Sequence, residues 1–199
     1  MVYFITKRIF WPLIRLFVKE LSGLENLPDK KCLYVFNHQS YLDGFLVPMM
    51  IAWHKNKKIY TFATTRETFS GAIWSALFNH FGAIRIGGSL DKAFEKFNQG
   101  YSLAIAPEGQ RSFFDRIEEV HHSGAGVIAL KTQCPIVPIY IHTFTFWNRF
   151  QLFINFKRNI TIRIGKPKIY TAKLTKANAM KTTRQIMKEV AKLERTSNA

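Results

Sequence analysis

The sequence predicts one α/β domain around a largely parallel, mixed central sheet flanked by helices, and three observations predict it. Short apolar runs of strand length alternate along the chain with longer segments of helical apolar spacing. The run Cys32–Phe36 ends abruptly in Asn37-His38 and Leu42 opens a new apolar segment, the pattern of a buried strand entering a loop and then a helix. At 199 residues and 47% hydrophobic content, the chain is long enough for one sizeable core, and no internal repeat or low-complexity linker divides it.

Met1–Leu21 is apolar but interrupted by Lys7, Arg8, Arg15 and Lys19, so no uncharged run approaches the roughly 20 residues a spanning helix needs. Without a small-residue cleavage site it does not read as a secretory signal. Plotted as a helix, Arg8, Arg15 and Lys19 share one face, while Phe10, Leu13, Ile14, Phe17 and Leu21 share the opposite one. A basic helix rich in Phe, Trp and Leu has the composition of an element lying in a membrane interface. A helix packed on the domain's own core is the alternative. The expected division is therefore 1–21 as an interfacial helix and 22–199 as the folded domain.

After the polar connector Ser22–Lys31 and the strand ending at Phe36, Leu42–Trp53 is a helix candidate containing Pro48, and Ile59–Thr64 reads as a strand. Ser70–Phe81 has helical spacing, and Gly82–Gly88 is a short strand closing on a glycine pair. Asp91–Asn98 is a surface helix with an Ala93, Phe94, Phe97 stripe, and Gly100 stops it. Ser102–Ala106 and Ile136–Ile141 are buried strands; Gln151–Phe156 and Ile160–Ile164 suggest a terminal hairpin. Ala177–Leu193 is a basic helix that packs through Met180, Ile186, Met187 and Val190. Gly124-Ala125-Gly126-Val127-Ile128-Ala129 matches a dinucleotide fingerprint in letters only: no strand precedes it and no acidic residue follows to bind a ribose, so its glycines open a helix.

The formal net charge is +16, and Val120–Lys188 holds no Asp or Glu at all. So lopsided a surface attracts polyanions: anionic lipid, phosphorylated substrates or nucleic acid. No zinc-finger, RNP-like or KH signature supports nucleic acid, although a basic nucleic-acid-binding protein remains the rival class. Cys32 and Cys134 form no Cys-x-x-Cys pair, and the adjacent His121 and His122 belong to no carboxylate or cysteine pattern of metal-ligand spacing, so no metal is expected.

His38 and Asp43 stand five residues apart, about 140° on a continuous helix, and meet only if the chain turns between them. A histidine held by a carboxylate is a general base; a loop histidine beside an N-capping aspartate would share that spacing. Downstream, Glu108-Gly109-Gln110-Arg111 follows a strand. Gly109 allows close backbone approach and Arg111 offers a planar fork suited to phosphate; an exposed Glu108–Arg111 ion pair is the alternative reading.

Taken together, the blocks Asn37-His38-Gln39-Ser40-Tyr41-Leu42-Asp43, Pro107-Glu108-Gly109-Gln110-Arg111-Ser112 and Pro135-Ile136-Val137-Pro138 resemble the motifs of the glycerolipid acyltransferases, the lysophosphatidic acid acyltransferase family. The resemblance runs from about Leu24 to Pro167, with Gln110 where the family has Thr and Gly88 where it has a cation. It implies a seven-stranded mixed αβ fold and acyl transfer from acyl-CoA or acyl-ACP to a lysophospholipid hydroxyl, by default that of 1-acyl-glycerol-3-phosphate. His38 is the implied base and Asp43 its orienting partner, with Arg111 placing the acceptor phosphate, Gly109 and Gln110 in its loop, Glu108 holding Arg111 or bonding a substrate hydroxyl, and Arg85 the candidate to replace the missing cation unless the acceptor site is simply looser. No bound cofactor is implied, and the expected location is the cytoplasmic face of an anionic membrane. Acceptors with other head groups stay open because of Gly88.

Overall fold

The computed structural model describes residues 2–40, 43–63, 79–85, 89–112, 114–143 and 158–195, with backbone alone for residues 2–7 and 63. Its elements are α1 (Val2–Arg15), β1 (Val18–Ser22), β2 (Leu33–Phe36), α2 (Asp43–Lys55), β3 (Ile59–Ala63), β4 (Ala83–Arg85), α3 (Asp91–Asn98), β5 (Ser102–Ile105), α4 (Gly124–Thr132), β6 (Ile136–His142), β7 (Ile160–Ile164) and α5 (Lys176–Arg195). The strands form one seven-stranded sheet in the order β1-β7-β6-β2-β5-β3-β4. Every neighbouring pair is parallel except β6 with β7, so the expected mixed, mostly parallel sheet is what forms.

Two cores follow from the two faces of the sheet. On one, Trp11, Leu46, Val47, Met50 and Ile51 of α1 and α2 pack on Tyr34, Phe36, Val137, Ile139 and Ile162. On the other, Ala93 and Phe97 of α3, Ile128 of α4, and Ile186, Met187 and Val190 of α5 cover Leu33, Val35, Leu103 and Ile105. Alternation along β2 explains the split: residues 34 and 36 point one way, 33 and 35 the other. Both cysteines are buried, and burial pushes the Cys32 thiol up to about 11, which suits a packing role.

The N-terminal helix is shorter than expected. It stops at Arg15, and Val18–Ser22 instead forms edge strand β1, parallel to β7. The boundary at residue 21 is therefore corrected: the sheet begins at Val18, where Val-Lys-Glu-Leu alternates as a half-buried strand does. Its Glu20 accepts both forks of Arg163 from β7, at 2.6 and 2.8 Å, while Arg163 Nη1 donates to the carbonyls of Leu193 and Glu194 at the end of α5. The guanidinium holds the Glu20 carboxyl below its ordinary value and ties the edge strand to the last helix.

The apolar faces of α1 also differ from expectation. Trp11 is buried, edge-on to His54 of α2 at 6.0 Å, and Ile14, Phe17 and Leu21 pack against the core. Ile9, Phe10, Leu13 and Leu16 are each more than half exposed. The expected single stripe is thus split, with one half inside the domain and one half outside. The expected helix over Ser70–Phe81 and the strand Gln151–Phe156 fall almost wholly outside the described residues, as does Gly88.

Gly124-Ala125-Gly126 opens α4, and the fingerprint is excluded by packing as well as by context. A Cβ on Gly126 would lie 1.9 Å from the Ala179 carbonyl oxygen of α5, and the Gly126 N–H already donates to Thr183 Oγ1 at 2.9 Å. Gly126→Ala must push the helices apart, at a cost of about 1–3 kcal/mol. Thermal unfolding of that variant should fall by several degrees; an unchanged midpoint would contradict the packing.

Candidate active site

The site forms where two adjacent central strands end. β2 and β5 pair in parallel, Leu33 with Leu103 and Val35 with Ile105, so the loops that follow them emerge side by side. β6 flanks β2 on the other side, in register from Leu33 with Ile136 to Phe36 with Ile139. Beyond Phe36 the ladder is prolonged by a side chain: Asn37 Nδ2 donates to the Ile141 carbonyl and its Oδ1 accepts from the Ile141 N–H, both at 2.8 Å. Asn37 thus fixes the point at which the chain leaves the sheet.

The next residues wrap around one carboxylate. Asp43, the first residue of α2, is fully buried, and its Oδ2 accepts from the backbone N–H groups of Gln39 at 2.6 Å and Ser40 at 2.8 Å. The same oxygen stands 3.1 Å from His38 Nδ1. Its Oδ1 accepts from Thr143 Oγ1 at 2.5 Å and Ser40 Oγ at 3.3 Å. The N-terminus of α2 adds a favourable dipole for negative charge there. The turn required for His38 and Asp43 to meet is present. With Nδ1 turned to Asp43, Nε2 is the ring nitrogen left for other chemistry, and the side chain is a quarter exposed, at 25%.

Glu108 is only 2% exposed, and its role differs from a ligand contact. Oε2 accepts from the His38 N–H at 2.5 Å and Oε1 from the Glu118 N–H at 2.9 Å. Burial pushes its carboxyl up to about 7, against the pull of those two amides. The carboxylate is a clamp between loops, not a group facing a substrate hydroxyl. A second tie runs from the Ser112 N–H to the His38 carbonyl at 2.8 Å. Arg111 lies between these two ties in the chain and is half-buried; Gln110 is exposed.

Gly109 has φ of +75°, the left-handed region where glycine is favoured. A Cβ there would lie 2.2 Å from the His122 ring, so the space left open by glycine is filled by His122 and not kept for a ligand. Arg85 closes β4 at the edge of the sheet, exposed. Three strand spacings separate β4 from β2, roughly 14 Å at the usual separation, so the structure does not bring Arg85 to the dyad.

Several participants carry no signal in the sequence. Gln39 Oε1 accepts from the Thr143 N–H at 3.1 Å, and its Nε2 donates to Asp115 at 3.3 Å. Asp115 in turn meets His142 Nε2 at 3.1 Å. Spacings of 76 to 104 residues separate the partners of Gln39 and Asn37 from them, so only the fold reveals the pairs.

A histidine oriented by a buried aspartate at a β–α junction, with the Glu-Gly-x-Arg loop next to it, is the arrangement that the motifs imply, and the Glu108 clamp is added by the fold. The family model described as Acyltransferase matches residues 19–142, more than half of the chain. The chain belongs to the acyltransferase family. It is 31% identical over 130 residues to a chloroplastic 1-acyl-sn-glycerol-3-phosphate acyltransferase of Brassica napus, covering 60% of this chain and 36% of that protein. A chloroplastic enzyme of the same name from Arabidopsis thaliana is 30% identical over 129 residues, covering 60% of this chain and 34% of that protein. The match thus spans about a third of the length of these curated relatives. The structure of the 1-acyl-sn-glycerophosphate acyltransferase PlsC from Thermotoga maritima superposes with a TM-score of 0.68 at 18% identity, over 100% of this chain and 82% of that one. That likeness establishes the acyltransferase fold.

Proposed function

We propose that this acyltransferase moves an acyl chain from a thioester, acyl-CoA or acyl-ACP, to the free hydroxyl of 1-acyl-glycerol-3-phosphate, giving phosphatidic acid. The observation that carries the reading is the His38 ring, held through Nδ1 by a buried Asp43 at 3.1 Å with Nε2 left to take a proton. The acceptor oxygen attacks the thioester carbonyl while His38 Nε2 takes its proton. The tetrahedral adduct then expels the thiolate, which recovers that proton as a thiol. Ester and thiol leave, and no acyl-enzyme is needed. Arg111, carried next to His38 by the Glu108 and Ser112 ties, supplies a fork for the acceptor phosphate. The names of the two plant relatives support this acceptor. A panel of lysolipids, each offered with acyl-CoA and with acyl-ACP, tests it; transfer to other head groups but not to lysophosphatidic acid would reassign the acceptor.

The reading includes contact with an anionic membrane surface, supported by the exposed Ile9, Phe10, Leu13 and Leu16 and by the charge of +16. Among the described residues no helix is long and apolar enough to cross a membrane. Leu13→Glu with Leu16→Glu should abolish flotation with anionic vesicles while leaving the unfolding midpoint within a few degrees. Unchanged flotation would contradict interfacial docking through α1.

A further inference from the structure

We infer that Thr143 is a positioning residue of the acyl-transfer site, the third member of a His38–Asp43–Thr143 relay. The inference rests on the acyl-transfer reading above for its kinetic form, while its structural form stands without it. Thr143 follows β6 and is buried, at 1% exposure. Its Oγ1 donates to Asp43 Oδ1 at 2.5 Å, and its own N–H is held by Gln39 Oε1 at 3.1 Å. The second bond matters because it sets the backbone from which the hydroxyl reaches. Gln39 lies in the loop between His38 and Asp43, so that loop and Thr143 fix each other.

The geometry separates the work of the two carboxylate oxygens. Oδ2 takes the two backbone N–H groups and faces the imidazole, while Oδ1 faces the hydroxyls. Oδ1 has two hydroxyl neighbours, and Thr143 is the nearer by far, 2.5 Å against 3.3 Å for Ser40 Oγ. All five neighbours that reach Asp43 are able to donate, the complement of a carboxylate that only accepts. Without the Thr143 hydroxyl, Oδ1 would have only the longer bond in a site closed to water. The carboxylate would then turn toward other donors and release His38 Nδ1. Two further contacts brace the same point: Asn37 grips Ile141 two residues before Thr143, and His142 bonds Asp115. The end of β6 is therefore fastened at Ile141 and Thr143 to the β2 loop and at His142 to Asp115 in the loop after β5, and Thr143 is the one whose side chain reaches the dyad.

Thr143→Val keeps the branched shape and removes the donor, while Thr143→Ser keeps the donor and removes a methyl. With 1-acyl-glycerol-3-phosphate and acyl-CoA, kcat of Thr143→Val should fall roughly 10–100-fold, the range for a hydrogen bond to a charged group, with acceptor KM within about twofold. Thr143→Ser should stay within about threefold of the parent, since it retains the bond. A readout independent of turnover is the ¹⁵N spectrum of His38: one tautomer with the proton on Nδ1 in the parent and in Thr143→Ser, a mixture in Thr143→Val. Equal kcat and an unchanged tautomer in Thr143→Val would overturn the inference. So would a loss that Thr143→Ser fails to restore, because Thr143 would then be a packing residue. If the parent transfers no acyl group, the functional reading fails, and the tautomer comparison still decides this inference.

Discussion

His38→Ala is expected to lose acyl transfer by about 10²–10⁴ in kcat, the usual contribution of a positioned base. No other described side chain shares the Asp43 oxygen that orients the ring, so nothing takes over the proton. Folding should survive, because the side chain is 25% exposed and the ties made by residue 38 to Glu108 and Ser112 use its backbone. Asp43→Asn separates differently. Its amide would set an NH₂ among five donors in a buried site, so both turnover and thermal midpoint should fall. A His38→Ala protein that turned over near the parental rate would remove His38 from the chemistry.

Glu108→Gln is expected to be nearly as severe, and its kinetic form tells whether Glu108 clamps or contacts substrate. The variant keeps one accepting oxygen and sets an NH₂ against either the His38 or the Glu118 N–H. An orphaned, buried N–H costs about 1–3 kcal/mol and frees the His38 loop, so kcat should drop by about 10–100-fold with acceptor KM little changed. A raised KM at unchanged kcat would return Glu108 to the substrate. The carboxyl is raised from 4.5 to about 7 by burial, so between those values the folded state binds more protons than the unfolded one. Its contribution to stability is therefore present at low pH and is lost as pH rises toward 7. Comparing the parent with Glu108→Gln at pH 5 and pH 8 isolates this group: the parent's stability should fall relative to the variant's on going to the higher pH. A constant difference would contradict the shift.

The sheet was legible because its strands are buried on both faces and read as continuous apolar runs: Leu33–Phe36, Ser102–Ile105 and Ile136–His142 lie where the runs predict. His38 and Asp43 were legible for a related reason, since a single β–α turn positions both and their spacing is local. β1 was not, because Val18–Ser22 continues the apolar, basic pattern of α1 and its short alternation is too brief to separate it from that helix without the pairing to β7. The burial of Glu108 was hidden too. A carboxylate between Pro107 and Gly109 looks exposed by composition, and both of its partners are backbone amides, which carry no side-chain signature. Thr143 was invisible, 100 residues from the aspartate that it holds.

Direct acyl transfer driven by the His38–Asp43 pair is tested by a product balance. Purified protein on anionic vesicles is given 1-acyl-glycerol-3-phosphate and acyl-CoA, and the thiol released and the phosphatidic acid formed are both quantified. Direct transfer gives one phosphatidic acid per thiol, no acylated protein on quenching, and loss of both products together in His38→Ala. Thiol release without phosphatidic acid, or an acylated protein that accumulates when the acceptor is withheld, would contradict it.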